Sequence, residues 1–242
     1  MKTIDAAGMH FKELNSMIRR DDRKEITVYN CIGQRYIGTA LKTGSVTVEG
    51  TPGNALGAYL DGGRILVKGN CQDAVGDTMN DGEIVIHGNA GDALGYAMRG
   101  GKIFVRGNSG YRTGVHMKEY KEKKPVIIVG GTTGSFLGEY QAGGVIIVLN
   151  LNGEKVCTGN FTGTGMHGGK IFLRTESDSS LPELPPQASV RESTEDELAE
   201  IRSDLERFCS LFGIAGEKLF SGTFHTITPN AKNPYTRLYT AD

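Results

Sequence analysis

Five histidines, four cysteines and several glycine-rich strings carry the residue types from which this chain could build an active site. A phosphate cradle is the first chemistry to test, because Gly163-Thr164-Gly165-Met166-His167-Gly168-Gly169-Lys170 places a lysine behind a glycine-rich loop. Such a cradle needs Gly-x-x-x-x-Gly-Lys followed by Ser or Thr, whose hydroxyl reaches the metal ion. Here the spacing differs and Ile171 follows the lysine. A dinucleotide fold needs its glycine turn to run from a strand into a helix. Gly50-Thr51-Pro52-Gly53 and Gly88-Asn89-Ala90-Gly91 precede no helical pattern. His10, His87, His116, His167 and His225 form no His-x-x-x-His pair and no pairing with cysteine at metal-ligand spacing. Asp61, Asp73, Asp77, Asp81 and Asp92 raise the question of calcium, but calcium-binding β-rolls need a nine-residue Gly/Asp period, which is absent here. Turn chemistry accounts for these aspartates. No spacing sets a base beside a serine, cysteine or lysine nucleophile. No catalytic, cofactor-binding or metal-ligating residue is therefore assigned, and the chain reads as a scaffold without its own active site.

The glycines belong to something larger. Gly50, Gly69, Gly88 and Gly107 recur every 19 residues, and so do Gly38, Gly57, Gly76, Gly95 and Gly114. Gly138 and Gly163 extend the second series after steps of 24 and 25 residues, which places short insertions near Lys118–Lys124 and Leu149–Glu154. Seven units follow, anchored on Gly38, Gly57, Gly76, Gly95, Gly114, Gly138 and Gly163. His116 and His167 fall at different phases of the unit, so stacking does not pair them.

Each unit closes on an apolar pair at period two: Val46/Val48, Ile65/Val67, Ile84/Ile86, Ile103/Val105, Ile127/Val129, Ile146/Val148 and Ile171/Leu173. Alternating β-branched residues predict a strand, with polar or charged partners between. Leu41, Leu60, Met79, Met98, Met117 and Met166 form a second column, broken by Gln141, and Ile37, Leu56, Val75, Leu94 and Leu137 a third. A 19-residue unit is too short for a βαβ crossover, which needs about 30 residues. The expected fold is all-β: a parallel β-helix of about seven coils, with short N- and C-terminal helical extensions. Like residues then stack on like. The anchoring glycines are expected to be corners, where positive φ favours glycine.

Net charge is −1 and offers no basic field for nucleic acid. The basic run Lys118–Lys124 is interleaved with Glu119 and Glu122 and reads as a solvated loop. No signal peptide and no membrane-length apolar run is read, and Cys31, Cys71, Cys157 and Cys209 lack Cys-x-x-Cys spacing, so free thiols and a cytoplasmic location are expected. The expected organisation is a helical cap over residues 1–24, the β-helix over 25–175, an extended Ser/Pro linker over 176–192, and a helix with an aromatic tail over 193–242. The cap carries a helix over 5–20. The C-terminal helix starts at Ser193-Thr194 and stops at Gly213.

Gly50-x-x-Gly53-x-x-x-Gly57, Gly88-x-x-Gly91-x-x-x-Gly95 and Gly131-x-x-Gly134-x-x-x-Gly138 resemble the glycine-motif domain of glutamate synthase. That domain closes the large subunit and folds as a right-handed parallel β-helix; the resemblance covers roughly residues 25–175. Related domains occur as one subunit of formylmethanofuran dehydrogenase and in N-methylglutamate synthase-type enzymes. The resemblance implies a non-catalytic assembly subunit whose partners are glutaminase (amidotransferase) and flavin-binding synthase subunits. Those partners would carry the FMN and iron–sulfur clusters, with none bound by this chain. A homo-oligomer is compatible with it; nucleic acid and membrane are not expected partners. The family's catalytic residues lie outside this domain, so none carries over. The acidic and aromatic C-terminal extension argues against the formylmethanofuran relative, which is expected to end soon after the coil. A polysaccharide-cleaving β-helix is disfavoured by the absence of tryptophan and of Asp/Arg columns.

Overall fold

The computed structural model describes residues 2–20, 25–176 and 181–230. The chain is mostly β. One sheet of 11 strands runs β1 to β9 in sequence order and then β11 and β10. Strands β1 (Lys2–Asp5), β2 (Glu25–Ile32), β3 (Ser45–Thr51), β4 (Asp61–Val67), β5 (Asp81–Ile86), β6 (Lys102–Val105), β7 (Val126–Val129), β8 (Ala142–Val148) and β9 (Gly168–Thr175) pair in parallel. β11 (Thr223–Pro229) pairs antiparallel with β9, and β10 (Ala188–Glu192) antiparallel with β11. Helix α1 (Phe11–Arg20) precedes β2; α2 (Glu195–Phe212) and the short α3 (Gly216–Phe220) separate β10 from β11.

Register follows the repeat. Val46, Ile65, Ile84, Ile103, Ile127, Ile146 and Ile171 are successive partners across β3–β9, all at most 1% exposed. Val48 through Leu173 form the neighbouring column in the same way. A further ladder ties the anchors: each of Gly57, Gly76, Gly95, Gly114, Gly138 and Gly163 donates its N–H to the residue before the previous anchor, at 2.8–2.9 Å. Isolated parallel bridges link Ala90, Ser109, Thr133 and Thr158. Backbone hydrogen bonds thus run from unit to unit and leave few buried polar groups unpaired.

The anchors do have positive φ, yet φ is not what demands glycine there. The residues two before and two after each anchor are also left-handed, and most are not glycine: Ala93 (57°) and Ala97 (51°) flank Gly95 (64°). What differs is space. A Cβ on Gly57 would come within 2.6 Å of Ile84 Cδ1, and one on Gly95 would strike Ile127 Cδ1. The anchor is glycine because the inner isoleucine of a following unit occupies the room, and overpacking such a core is destabilising.

The flanks differ from expectation in three places. Residues 2–5 are a strand, not helix: Ile4 is opposite Val28, extending the inner column, and the helix begins only at Phe11, after Gly8 at φ 65°. The expected linker contains β10, and the expected irregular tail contains β11. Thr226, Ile227 and Thr228 are the β-branched signal for β11. Ile227 is fully buried and, with Ala188, covers the last anchor, Gly163. These strands close the end of the stack, where open backbone would invite association. Linker residues 177–180 and tail residues 231–242 lie outside the described residues. Helix α2 follows its expected limits. Thr194 and Glu197 form a capping box, and Gly213 ends the helix at φ 63°.

Candidate functional site

The polar residues of the repeat hold units together. Asn70 Oδ1 accepts from Asn89 N, Asn89 Oδ1 from Asn108 N, and Asn108 Oδ1 from Thr132 N, at 2.8–2.9 Å. A second ladder passes from Asn54 through Asp73 and Asp92 to Tyr111 N. The other motif glycines lie beneath these side chains. A Cβ on Gly88 would collide with Asn70 Oδ1, and one on Gly91 with Asp73 Oδ1. In Gly88-x-x-Gly91-x-x-x-Gly95, then, each glycine yields to side-chain atoms of another unit, with backbone close behind at Gly88 and Gly91. Asp73 and Asp92 serve the backbone.

The histidines are dispersed. His10 leans on Phe11, and His87 meets the Phe212 ring edge-on at 5.2 Å. Burial, then the charges of Arg106 and Lys68, hold His87 below its ordinary pKa. His116 stacks on Tyr140 at 5.1 Å. His167 Nδ1 is 3.2 Å from Gly165 O. His225 is buried in β11 with its Nδ1 3.3 Å from Thr175 Oγ1. All four cysteines are free thiols, and burial pushes Cys31 and Cys157 up to about 11 and raises Cys71 and Cys209. A thiolate nucleophile is disfavoured at each. Among the described residues no group of three His, Cys, Asp or Glu is placed to hold a metal ion. None of their helices is long and apolar enough to cross a membrane.

The basic insertion is exposed throughout, as expected of a solvated loop, and is also tied down. Tyr120 and Lys123 close a tight turn on each other's backbones, Lys123 reaches Asp81 at 2.9 Å, and Lys124 pairs with Glu200 on α2. Helix α2 lies on the outer face of the sheet. Ile201, Leu205, Phe208 and Phe212 pack on Val85, Phe104, Ile128, Ile147 and Phe172. The positions between the inner pairs, expected to be mostly polar, are thus a second core from β5 onward. Phe104, Ile128 and Ile147 were legible as that signal. Asp204 pairs with Lys102, Lys170 with Glu200, and Arg207 with Glu83 at 2.9 Å, so charges fix the helix along the strands.

The exposed large apolar side chains are mostly aromatic. Several left-handed positions beside the anchors carry rings, Tyr36, Tyr59, His116, Phe136, Tyr140 and Phe161, and Tyr96 directly follows the anchor Gly95. Tyr96 meets His116 edge-on, His116 stacks on Tyr140, and Phe136 stacks on Phe161 at 5.0 Å with Arg112 4.8 Å from the Phe136 ring centroid. Phe161 is 57% exposed and lines a groove of about 610 Å³ with Val156 and the Leu181–Pro186 segment. Exposed rings beside an arginine are the composition of interface hot spots.

The structure is thus a largely parallel β stack with one helix-covered face, two ladders of polar side chains and several exposed rings. Residues 9–231 match the family described as GXGXG motif, and the chain belongs to that family. It is 44% identical over 253 residues to the uncharacterized protein MJ1350 of Methanocaldococcus jannaschii, covering 99% of this chain and 96% of that one. Its fold is similar, with a TM-score of 0.64 at 21% identity, to a chain of the crystal structure of the formyltransferase/hydrolase complex (FhcABCD) from Methylorubrum extorquens in complex with methylofuran. That likeness covers 93% of this chain and 89% of the other. Coverage this broad reaches into the C-terminal extension, so the extension does not argue against relatives of that kind.

Proposed function

We propose that this chain is a non-catalytic assembly subunit of a multi-subunit enzyme, and that its units wind as about seven coils of a right-handed parallel β-helix over residues 25–175. The observation that carries the reading is the division of labour among its side chains. The Asn and Asp side chains of the repeat are engaged between units and several charges with α2, while rings such as Tyr96, Tyr140 and Phe161 are left exposed. The fold likeness to a chain of the formyltransferase/hydrolase complex favours a complex of that kind, or one like formylmethanofuran dehydrogenase. The Gly-x-x-Gly-x-x-x-Gly motif supports a second reading, a glutamate synthase-type complex. There, glutaminase and flavin-binding synthase chains would supply the FMN, the iron–sulfur clusters and all catalytic residues. Both readings imply a cytoplasmic chain. Tyr96, Tyr140, Phe136 and Phe161 are the residues proposed to face the partner.

Co-expression of the full chain with each set of partner chains from the same genome, followed by size-exclusion chromatography, separates the two readings. The first predicts a stable complex with the formyltransferase/hydrolase-type chains, the second with the amidotransferase and flavin chains. The purified chain alone should show no glutaminase, glutamate synthase or formyltransferase turnover; turnover by the isolated chain would remove the scaffold reading.

A further inference from the structure

At the opposite end of the stack from the aromatic groove, α1 and the first unit enclose a hollow of about 580 Å³. Its volume lies inside the range of roughly 300–1,000 Å³ typical of small-molecule sites. The floor is apolar: Ile18, Ile26 and Val46 belong to the inner core, and Leu41 packs against it. The mouth is cationic. Lys12 and Arg19 come from α1 and Lys42 from the turn before β3. Among the described residues no carboxylate lines the hollow, and neither Lys12 nor Lys42 has an acidic partner. Lys68, Lys102, Lys123, Lys124 and Lys170 on the body of the stack are each matched to an acid.

The wall is built, not incidental. Buried Asn15 donates from Nδ2 to Phe11 O and to Arg35 O, both at 2.8 Å, and so pins α1 at a fixed distance from the first unit. Phe11 leans on Tyr36 at 5.9 Å, with Arg35 4.9 Å from the Phe11 ring centroid. Cations gathered at the mouth of a low-dielectric hollow attract an anion more strongly than the same cations on an open surface.

We propose that this hollow is a binding site for a small amphipathic anion: a carboxylate, phosphate or sulfonate held at the lysine and arginine mouth, attached to a flat apolar body seated on the isoleucine and valine floor. The site is independent of which enzyme complex the chain joins.

The test uses the full chain and three probes in calorimetric titration: naphthalenesulfonate, naphthylmethylammonium with the same body and opposite charge, and methanesulfonate with the charge and no body. Naphthalenesulfonate should bind once per chain, with a dissociation constant of roughly 10 µM. The other two should bind at least about tenfold more weakly. Lys12→Glu with Lys42→Glu should weaken naphthalenesulfonate by tenfold or more, on the order of one charge pair lost per substitution. Ala40→Tyr should fill the hollow, and the fold accepts it, since Tyr59 and Tyr140 occupy the equivalent left-handed position in other units. If Ala40→Tyr failed to fold, the double charge reversal on the surface would carry the test alone. Equal binding of the ammonium probe, no saturable sulfonate binding, or binding unmoved by the charge reversal would each overturn the site.

Discussion

The inner columns and the outer face of the sheet are both apolar, yet they are made in different ways. Inside, every unit contributes the same residue types at the same phase, and each side chain packs on its equivalent one step along. The outer face is apolar only where α2 covers it. Thr27 and Thr47 stand there in β2 and β3, whereas Val85, Phe104, Ile128, Ile147 and Phe172 stand there in β5–β9. The inner core is therefore local and repeated, while the outer core depends on a helix about a hundred residues away in sequence, as the Lys102–Asp204 and Arg207–Glu83 pairs mark. A repeat says what can stack. A break in the polarity of its outward positions says where the chain returns to cover it.

The largest effect is expected at an inner corner. Gly95→Val should cost about 3–4 kcal/mol in urea unfolding, the sum of left-handed strain at a β-branched residue and collision with Ile127. Ala93→Leu, at a similar φ but facing outward, should cost less than about 1 kcal/mol. Equal losses would mean that φ, and not the isoleucine column, selects glycine.

Truncating the outer core should act differently. Phe208→Ala removes a fully buried ring and should cost about 3 kcal/mol. Hydrogen exchange should place that loss in α2 and leave β3–β6 protected, since the inner columns do not need the helix. Exchange rising evenly through the stack would merge the two cores into one unit.

Gln141 offers a gain. It interrupts the Met117–Met166 column, fully buried, with Nε2 donating to Gly143 O and Gly144 O and with Oε1 meeting no donor. Gln141→Met should stabilise the chain by about 1–2 kcal/mol by removing an unpaired buried acceptor, raising the urea midpoint without changing its slope. A lower midpoint would mean that the amide supports that turn by more than its hydrogen bonds.

The smallest effect lies where α2 begins. Arg191 first, then Thr194 N and Thr226, hold the Glu197 carboxyl at about 2. A depressed carboxylate contributes stability above its unfolded value near 4.5 and loses it as pH falls from there toward 2. Because Arg191 is half exposed, that contribution is about 1 kcal/mol at neutral pH. Glu197→Gln should remove it, flattening the fall of stability between those two values. An unchanged acid limb would assign the fall to other carboxylates.

Much of the stack was legible in the 19-residue step. The strand positions, inner columns, insertions and limits of α2 all follow from period, β-branching and capping residues. What escaped had physical reasons. β1 is four residues long and carries one inward side chain, Ile4, too little for a period. β11 was hidden by Pro229 at its end and Pro234 just beyond. The role of the motif glycines depends on atoms 18 to 32 residues away, Asn70 for Gly88 and Ile127 for Gly95, which no local pattern displays. In the first insertion, Lys123 and Lys124 are bound to the chain's own acids. The rings of Tyr96, Tyr140 and Phe161, exposed and in plain view in the sequence, with the half-buried Phe136 beside them, are the candidates for partner contact.

Native mass spectrometry of the chain co-expressed with its partner chains is the decisive test of the assembly role. That role predicts one complex of fixed stoichiometry containing this chain, and its loss on Tyr140→Asp with Phe161→Asp, two exposed rings at left-handed positions, with the melting of the chain measured alongside. A chain that stays alone beside every partner set, or that turns substrate over by itself, would contradict it.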